Sequence, residues 1–309
     1  MTATFRHEAM LYGDEHEFLD GTLDFIGKGL SADEPILVVL GALKIDALKT
    51  ELGDDAARVR FADMAEVGAN PARIIPAWRD FADECVADQR AFRGIGEPIW
   101  PGRSASELIE CQRHEALLNL AFADTPAFRL LCPYDTVGLS ADVLEEAHRS
   151  HPCIVEGSSE RLSDGYCGLH DVAAPFDAPL TEPARVLEDL AIDRASVRMA
   201  RAVVTSLAAE AGVVTAKLED LLVAVSEIVT NSILHGGGVA RMRMWCEGTS
   251  FICEVRDSGC IADPLAGRVR PAATNVGGRG LWLATQLCDL LQLRSSGTGS
   301  VIRLHMRTA

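Results

Sequence analysis

Glu227-Ile-Val-Thr-Asn231-Ser-Ile-Leu-His235 is the stretch on which the fold of this chain turns. Glu227, Asn231 and His235 recur at every fourth residue, so a helix over 215–235 carries all three on one face. Leu218, Leu221, Leu222, Val225, Ile228 and Val229 supply its core side. Asn is disfavoured in mid-helix, which makes a partner for its amide the point of interest. Alone, the pattern also fits an ordinary polar face with a capping histidine near the helix end.

Two later motifs change that balance. Asp257-Ser-Gly259 closes a strand-like segment, and Gly277-Gly278-Arg279-Gly280 runs directly into the helical stretch Leu281-Trp-Leu-Ala-Thr-Gln-Leu. A carboxylate at a strand end can accept a hydrogen bond from an adenine amino group. Glycines at a helix start present free backbone N–H groups to phosphate oxygens. Asn231 offers a carbonyl oxygen to a magnesium ion, and Glu227, one turn earlier, can orient or deprotonate a hydroxyl. In this order the three motifs predict an ATP site. No P-loop contributes to it: the turn after Leu40 reads Gly41-Ala-Leu-Lys44 and lacks the required glycine spacing and hydroxyl residue.

Working outward, the second half predicts helices over 192–211, 215–235 and 281–290. Strands follow over 239–246, 251–255, 291–294 and 301–306, with Glu247-Gly248-Thr249 as a hairpin turn. This makes a two-layer α/β sandwich with helices on one face of a mixed or antiparallel sheet. The first half alternates differently. Strands are expected at 35–40, 58–61, 94–100, 128–132 and 153–156, and helices at 45–52, 74–89, 106–122 and 144–149, a succession that predicts a mainly parallel three-layer sheet. Pro175, Pro179 and Pro183 mark an extended connection between the halves. The expected division is a sensory domain over 1–168, a proline-containing linker over 169–186 and a nucleotide-binding domain over 187–309.

Bulk properties set outer limits. A formal charge of -16 over 309 residues argues against a general nucleic-acid binder and against adsorption to an anionic membrane. The nine cysteines contain no Cys-x-x-Cys pair and no regular metal spacing, which predicts reduced, buried thiols in a cytoplasmic protein. No apolar run reaches the 18 or so residues that span a bilayer. His7, His16, His114, His148 and His151 are expected to be structural or surface residues.

The segment 187–307 resembles the GHKL ATPase superfamily, most closely its compact branch of bacterial anti-sigma-factor serine/threonine kinases. The resemblance implies a Bergerat ATP-binding fold, ATP and Mg2+ as cofactors, a catalytic Glu227 and a magnesium-binding Asn231. It further implies an adenine-binding Asp257 with Gly259 in the same box, and phosphate-proximal Gly278 and Gly280. His235, Arg279 and Leu281 complete the expected binding set, and 260–271 would form an ATP lid containing Arg268 and Arg270. By the same resemblance the γ-phosphate passes to a Ser or Thr of an anti-anti-sigma (STAS-type) partner, a sigma factor is released or captured, and the protein is a homodimer. The alternative is a catalytically inactive module that sequesters its partner. No phosphoacceptor-histidine helix precedes the domain, unlike two-component histidine kinases. The first half, through Arg6-His-Glu8, Gly96-Glu-Pro-Ile-Trp-Pro-Gly102 and Arg113-His-Glu-Ala-Leu-Leu118, resembles the MEDS sensory domain. That implies a RecA/KaiC-like fold without a phosphate loop. His7, Glu97, Trp100, Arg113, His114 and Tyr134 are the candidates for a sensory pocket.

Overall fold

The structure, a computed structural model, describes residues 5–157, 159–168, 178–271 and 278–308. The chain divides into two compact units, 1–176 and 177–309.

The first unit is built on a seven-stranded sheet of order β3-β2-β4-β5-β1-β6-β7. Its strands are β1 (Arg6–Tyr12), β2 (Ile36–Leu40), β3 (Arg60–Asp63), β4 (Phe92–Gly96), β5 (Phe128–Asp135), β6 (Cys153–Glu156) and β7 (Ser159–Leu162). All pairs are parallel except the β6–β7 hairpin at one edge. The helices are α1 (Glu15–Ser31), α2 (Ala42–Leu52), the short α3 (Met64–Val67), α4 (Ile74–Ala87), α5 (Ala105–Ala121) and α6 (Ala141–Ser150). The connections through α1 and α2 run toward β3, while those through α4, α5 and α6 run toward β6. Right-handed crossovers therefore place the two groups on opposite faces of the sheet. Helix α1 touches α2, and α5 touches both α4 and α6. β2 is buried along its whole length, as its continuous apolar run predicts.

Several differences from the sequence reading have physical reasons. β1 lies in the interior of the sheet between β5 and β6 and was not anticipated, nor was α1. The β5 strand continues through Pro133 to Asp135. Pairing with β4 ends at Leu131, so at Pro133 the strand has one paired neighbour, β1, with Met10 opposite, and a strand open on one side tolerates a residue without an N–H.

The second unit has a five-stranded sheet of order β11-β12-β10-β9-β8, antiparallel throughout. Its strands are β8 (Glu188–Ile192), β9 (Ala240–Glu247), β10 (Ser250–Asp257), β11 (Leu290–Ser296) and β12 (Gly299–Arg307). Its helices are α7 (Val197–Glu210), α8 (Thr215–His235) and α9 (Arg279–Leu287). Helix α8 sits between α7 and α9 and buries Leu221, Val225, Ile228 and Val229, with Leu218 and Leu222 packed partly buried against the same core. β8 was not anticipated, and Ile192, expected to open α7, is its last residue. Asp193 ends that strand by accepting from the N–H groups of Ala195 and Ser196, at 3.0 and 2.9 Å. Part of the expected linker is hydrogen bonded within this unit: Glu182 pairs with Arg243 and Arg256, and the Thr181 carbonyl accepts from Arg303. Pro175 and Gly277 lie outside the described residues.

Candidate functional site

The site of the second unit is assembled from three element ends. Helix α8 brings Asn231 and His235 to its C-terminal half, β10 ends at Asp257, and α9 begins just after Gly278. A turn locks the first two together: the Ser258 hydroxyl donates to the Gly236 carbonyl at 2.8 Å, and the Gly259 N–H donates to Asp257 Oδ1 at 2.7 Å. The Ser300 hydroxyl then donates to the Gly259 carbonyl at 2.8 Å, tying the turn to β12. Both Asp257 and Gly259 are thus held by hydrogen bonds rather than by packing alone.

These ends enclose a cavity of about 700 Å³, a size typical of small-molecule sites. Asn231, His235, Asp257, Gly259, Gly278 and Leu281 line it, with Ile228, Ile261, Leu265, Val269 and Ile302 among its apolar walls. Glu227, Arg279 and Gly280 do not. Gly280 instead packs against the back of the same helix face. A Cβ at that position would lie 2.7 Å from Asn231 Nδ2 and 2.8 Å from Glu227 Oε2. Gly280 therefore sets how closely α9 approaches the polar side of α8. The N-cap of α9, Gly278, has φ +85°, a conformation that favours glycine, and it offers no side chain to cap the helix. The first N–H groups of a helix point out along its axis, here from just beyond Gly278.

The two lid arginines differ. Arg268 is buried, whereas Arg270 lines the cavity with its guanidinium carbon 5.5 Å from the Trp282 ring centre. Cys260, exposed, also lines the cavity, which its spacing did not indicate.

In the first unit the expected sensory residues do not form one group. Glu97 is buried and pairs with Lys44 Nζ at 2.6 Å, while the Tyr12 hydroxyl donates to it at 2.8 Å. Burial is the main reason the Tyr12 hydroxyl is pushed far above its ordinary range, with Glu97 adding to it. Lys44, from the Gly41-Ala-Leu-Lys44 turn that lacks a P-loop pattern, belongs to this cluster. It stands beyond the carboxyl ends of β2 and β4, whose following helices leave on opposite faces, the usual ligand crevice of an open parallel sheet. Trp100 lies under the Arg103 guanidinium at 3.7 Å. Arg113 and His114 are buried on α5. His7 and Tyr134 belong to another buried group around Glu115, Cys132 and His151, with the Tyr134 and His151 rings 5.5 Å apart edge to face. Burial, then the neighbouring His151, lowers His7 to about 4, so it is neutral. Of this group sequence reasoning singled out His7 and Tyr134 alone. Glu115 was visible inside Arg113-His-Glu, but nothing in the spacing of 7, 115, 132 and 151 announces a cluster.

A family model described as MEDS, the methanogen/methylotroph DcmR sensory domain, matches residues 6–152. A model described as a histidine kinase-like ATPase domain matches residues 190–306. No curated protein matches the chain. Among solved structures, one of the RsbU and RsbW domains of a Mycobacterium tuberculosis protein is 22% identical over 39% of this chain, with a TM-score of 0.29. The match spans 32% of that protein's chain, too little to bear on fold or activity. Among the described residues, no helix is long and apolar enough to cross a membrane.

Proposed function

Because this chain joins a MEDS sensory domain to a histidine kinase-like ATPase domain of the GHKL class, which binds ATP and Mg2+, we propose that it is a signalling regulator whose sensory unit governs an ATP-dependent switch. The switch transfers a phosphoryl group to a Ser or Thr of an anti-anti-sigma (STAS-type) partner, and a sigma factor is captured or released as a result. The observation that carries this reading is the convergence of Asn231, Asp257 and Gly278 on one cavity, beside the start of α9.

Each residue has a role that its surroundings support. Asp257 is fixed by the Gly259 N–H, and its other carboxylate oxygen accepts from the adenine amino group. The apolar walls receive the base. The N–H groups at the start of α9 take phosphate oxygens, where the helix dipole favours negative charge. Asn231 would hold Mg2+ through its amide oxygen, a fit to an ion that takes few protein ligands. That ion supplies neutralisation of phosphate charge. Glu227, one turn before Asn231 and with it close against Gly280, takes the proton of the attacking hydroxyl.

A second reading is favoured by one feature: Glu227 does not line the cavity among the described residues. In that reading the unit binds its partner without transferring phosphate. Glu227→Ala separates the two. On the first reading the variant binds Mg-ATP as wild type does and labels no partner. Equal labelling by the variant removes Glu227 as the base, and no labelling by wild type favours sequestration.

A further inference from the structure

The four side chains buried together in the first unit come from four different elements. His7 is on β1, Glu115 on α5, Cys132 on β5 and His151 immediately follows α6. None is more than 1% exposed. His7 Nε2 lies 3.1 Å from Glu115 Oε2 and 3.4 Å from Cys132 Sγ, and His151 Nε2 lies 3.3 Å from the same Glu115 oxygen. All four ligand atoms fall within 4.8 Å of one another.

Hydrogen-bond bookkeeping shows what the group lacks. Asn119 donates its amide N–H to the Ser150 carbonyl at 2.7 Å, so its oxygen faces His7 Nδ1, 3.2 Å away. That oxygen can only accept, which puts the proton of neutral His7 on Nδ1 and a lone pair on Nε2. His151 Nδ1 lies 2.9 Å from the Ala147 carbonyl, which can only accept, so the Nδ1 proton of this ring is fixed in the same way. With both rings in the neutral form that a metal requires, two imidazole lone pairs converge on a carboxylate oxygen. In that form, of the four ligand atoms only the Cys132 sulfur carries a proton to give. Among the described residues, neither His151 Nε2 nor Glu115 Oε1 has a hydrogen-bond partner. Convergent acceptors in a dry interior repel one another unless a positive centre lies between them.

We propose that His7, Glu115, Cys132 and His151 bind one divalent transition-metal ion of the zinc type in a closed tetrahedral site. Bonds of ~2.0–2.3 Å in a tetrahedron place the ligand atoms about 3.3–3.6 Å apart, close to the 3.1, 3.4 and 3.3 Å found for three of the pairs. Two neutral imidazoles, a carboxylate and a thiolate make an uncharged complex with a divalent ion, which suits full burial. Binding releases the thiol proton of Cys132 to solvent. Asn119 and the Ala147 carbonyl are the outer partners that aim the two Nε2 atoms. Four protein ligands leave no open position, so the ion is a structural clip joining β1, α5, β5 and the end of α6. The inference concerns the first unit and stands whatever the second unit does with ATP.

The test uses the full-length, untagged protein, purified without chelator and measured by elemental analysis. One equivalent of zinc per chain is expected. Unfolding in chelator, then refolding with Co2+ alone, is expected to give a thiolate-to-cobalt charge-transfer band and tetrahedral ligand-field bands. Cys132→Ser abolishes the charge-transfer band, while Cys260→Ser, at an exposed position, keeps it. Asn119→Ala retains the spectrum but weakens cobalt binding by about 10–100-fold, which keeps the proposal testable should Cys132→Ser fail to fold. A folded wild-type protein with no stoichiometric metal and no cobalt spectrum overturns the site in favour of a metal-free cluster in which the two histidines are hydrogen bonded to the Glu115 carboxylate. A charge-transfer band that survives in folded Cys132→Ser overturns it equally, because the metal would then sit on another thiol.

Discussion

Asn231, Asp257 and Gly280 each do something at the level of single atoms that a substitution can expose. Replacing Asp257 with Asn keeps the shape but puts an N–H2 group where one oxygen accepts. Calorimetry should show Mg-ATP binding lost while the circular dichroism spectrum stays that of wild type; binding as tight as wild type would remove Asp257 from the adenine site. Gly280→Ala acts differently. The added methyl would lie under 3 Å from Asn231 Nδ2 and Glu227 Oε2, so these flexible ends must give way. We expect Mg-ATP affinity to fall by about tenfold, equivalent to about 1.4 kcal/mol, with little change in thermal stability. At this scale the sequence was informative where a motif is local. The 227–235 helix face, the Asp257 turn and the glycines before α9 could be quoted directly, since four-residue spacing and turn glycines encode their own geometry. Three-dimensional convergence was not legible. Lys44 meets Glu97 across 53 residues, and His7 meets Cys132 across 125, with no local pattern to betray either.

Strand β10 illustrates how an element carries charge through a sheet. Glu254, fully buried, accepts from Arg243 at 2.7 Å, Arg256 at 2.6 Å and Arg303 at 2.8 Å, so β9, β10 and β12 share one carboxylate. Burial pushes the Glu254 carboxyl up, and the hydrogen bonds from Arg256, Arg303 and Arg243 outweigh it, leaving it below the ordinary range. A carboxylate depressed in the folded state stabilises at neutral pH. That contribution begins to disappear as pH falls past the unfolded value of ~4.3 and is gone below the folded value. Glu254→Gln should destabilise the second unit by roughly 2–3 kcal/mol at pH 7, less than for a fully buried pair because Arg256 is a third exposed. The gap between variant and wild type should close as pH is lowered toward 3, measured by urea unfolding. A gap that is constant with pH would show that Glu254 acts through packing and not through charge. The same chemistry explains why some elements escaped the sequence reading. β1 opens with Arg6, His7 and Glu8, two of them buried, so the apolar run that marks β2 is missing. β8 went unassigned because Leu190, Ala191 and Ile192 are apolar in either period, and only the turn at Asp193 separates them from α7. The long helices α5 and α8 and the closing hairpin of β11 and β12 were legible, because each repeats its pattern over several turns or between clear turn glycines.

At the scale of the whole chain, a regulator must transmit free energy between its two units, and that energy is reciprocal. If a signal bound to the first unit alters ATP affinity in the second, ATP must alter the first unit's affinity for that signal by the same factor. Such coupling is typically about 1–3 kcal/mol. Glu254→Gln identifies the calorimetric transition of the second unit, since its effect originates there. Binding of Mg-ATP stabilises whichever unit holds it by mass action, so this transition should rise with ATP in wild type and stay fixed in Asp257→Asn. The informative transition is the other one. For a domain of this size, 1–3 kcal/mol corresponds to a shift of roughly 2–12 °C, well within calorimetric resolution. We expect ATP to move the first unit's transition by that amount, in wild type and not in Asp257→Asn. A first transition indifferent to ATP at saturation would mean that the units are thermally independent. The sensory unit would then act by presenting or withholding a partner, with the nucleotide site left outside its control.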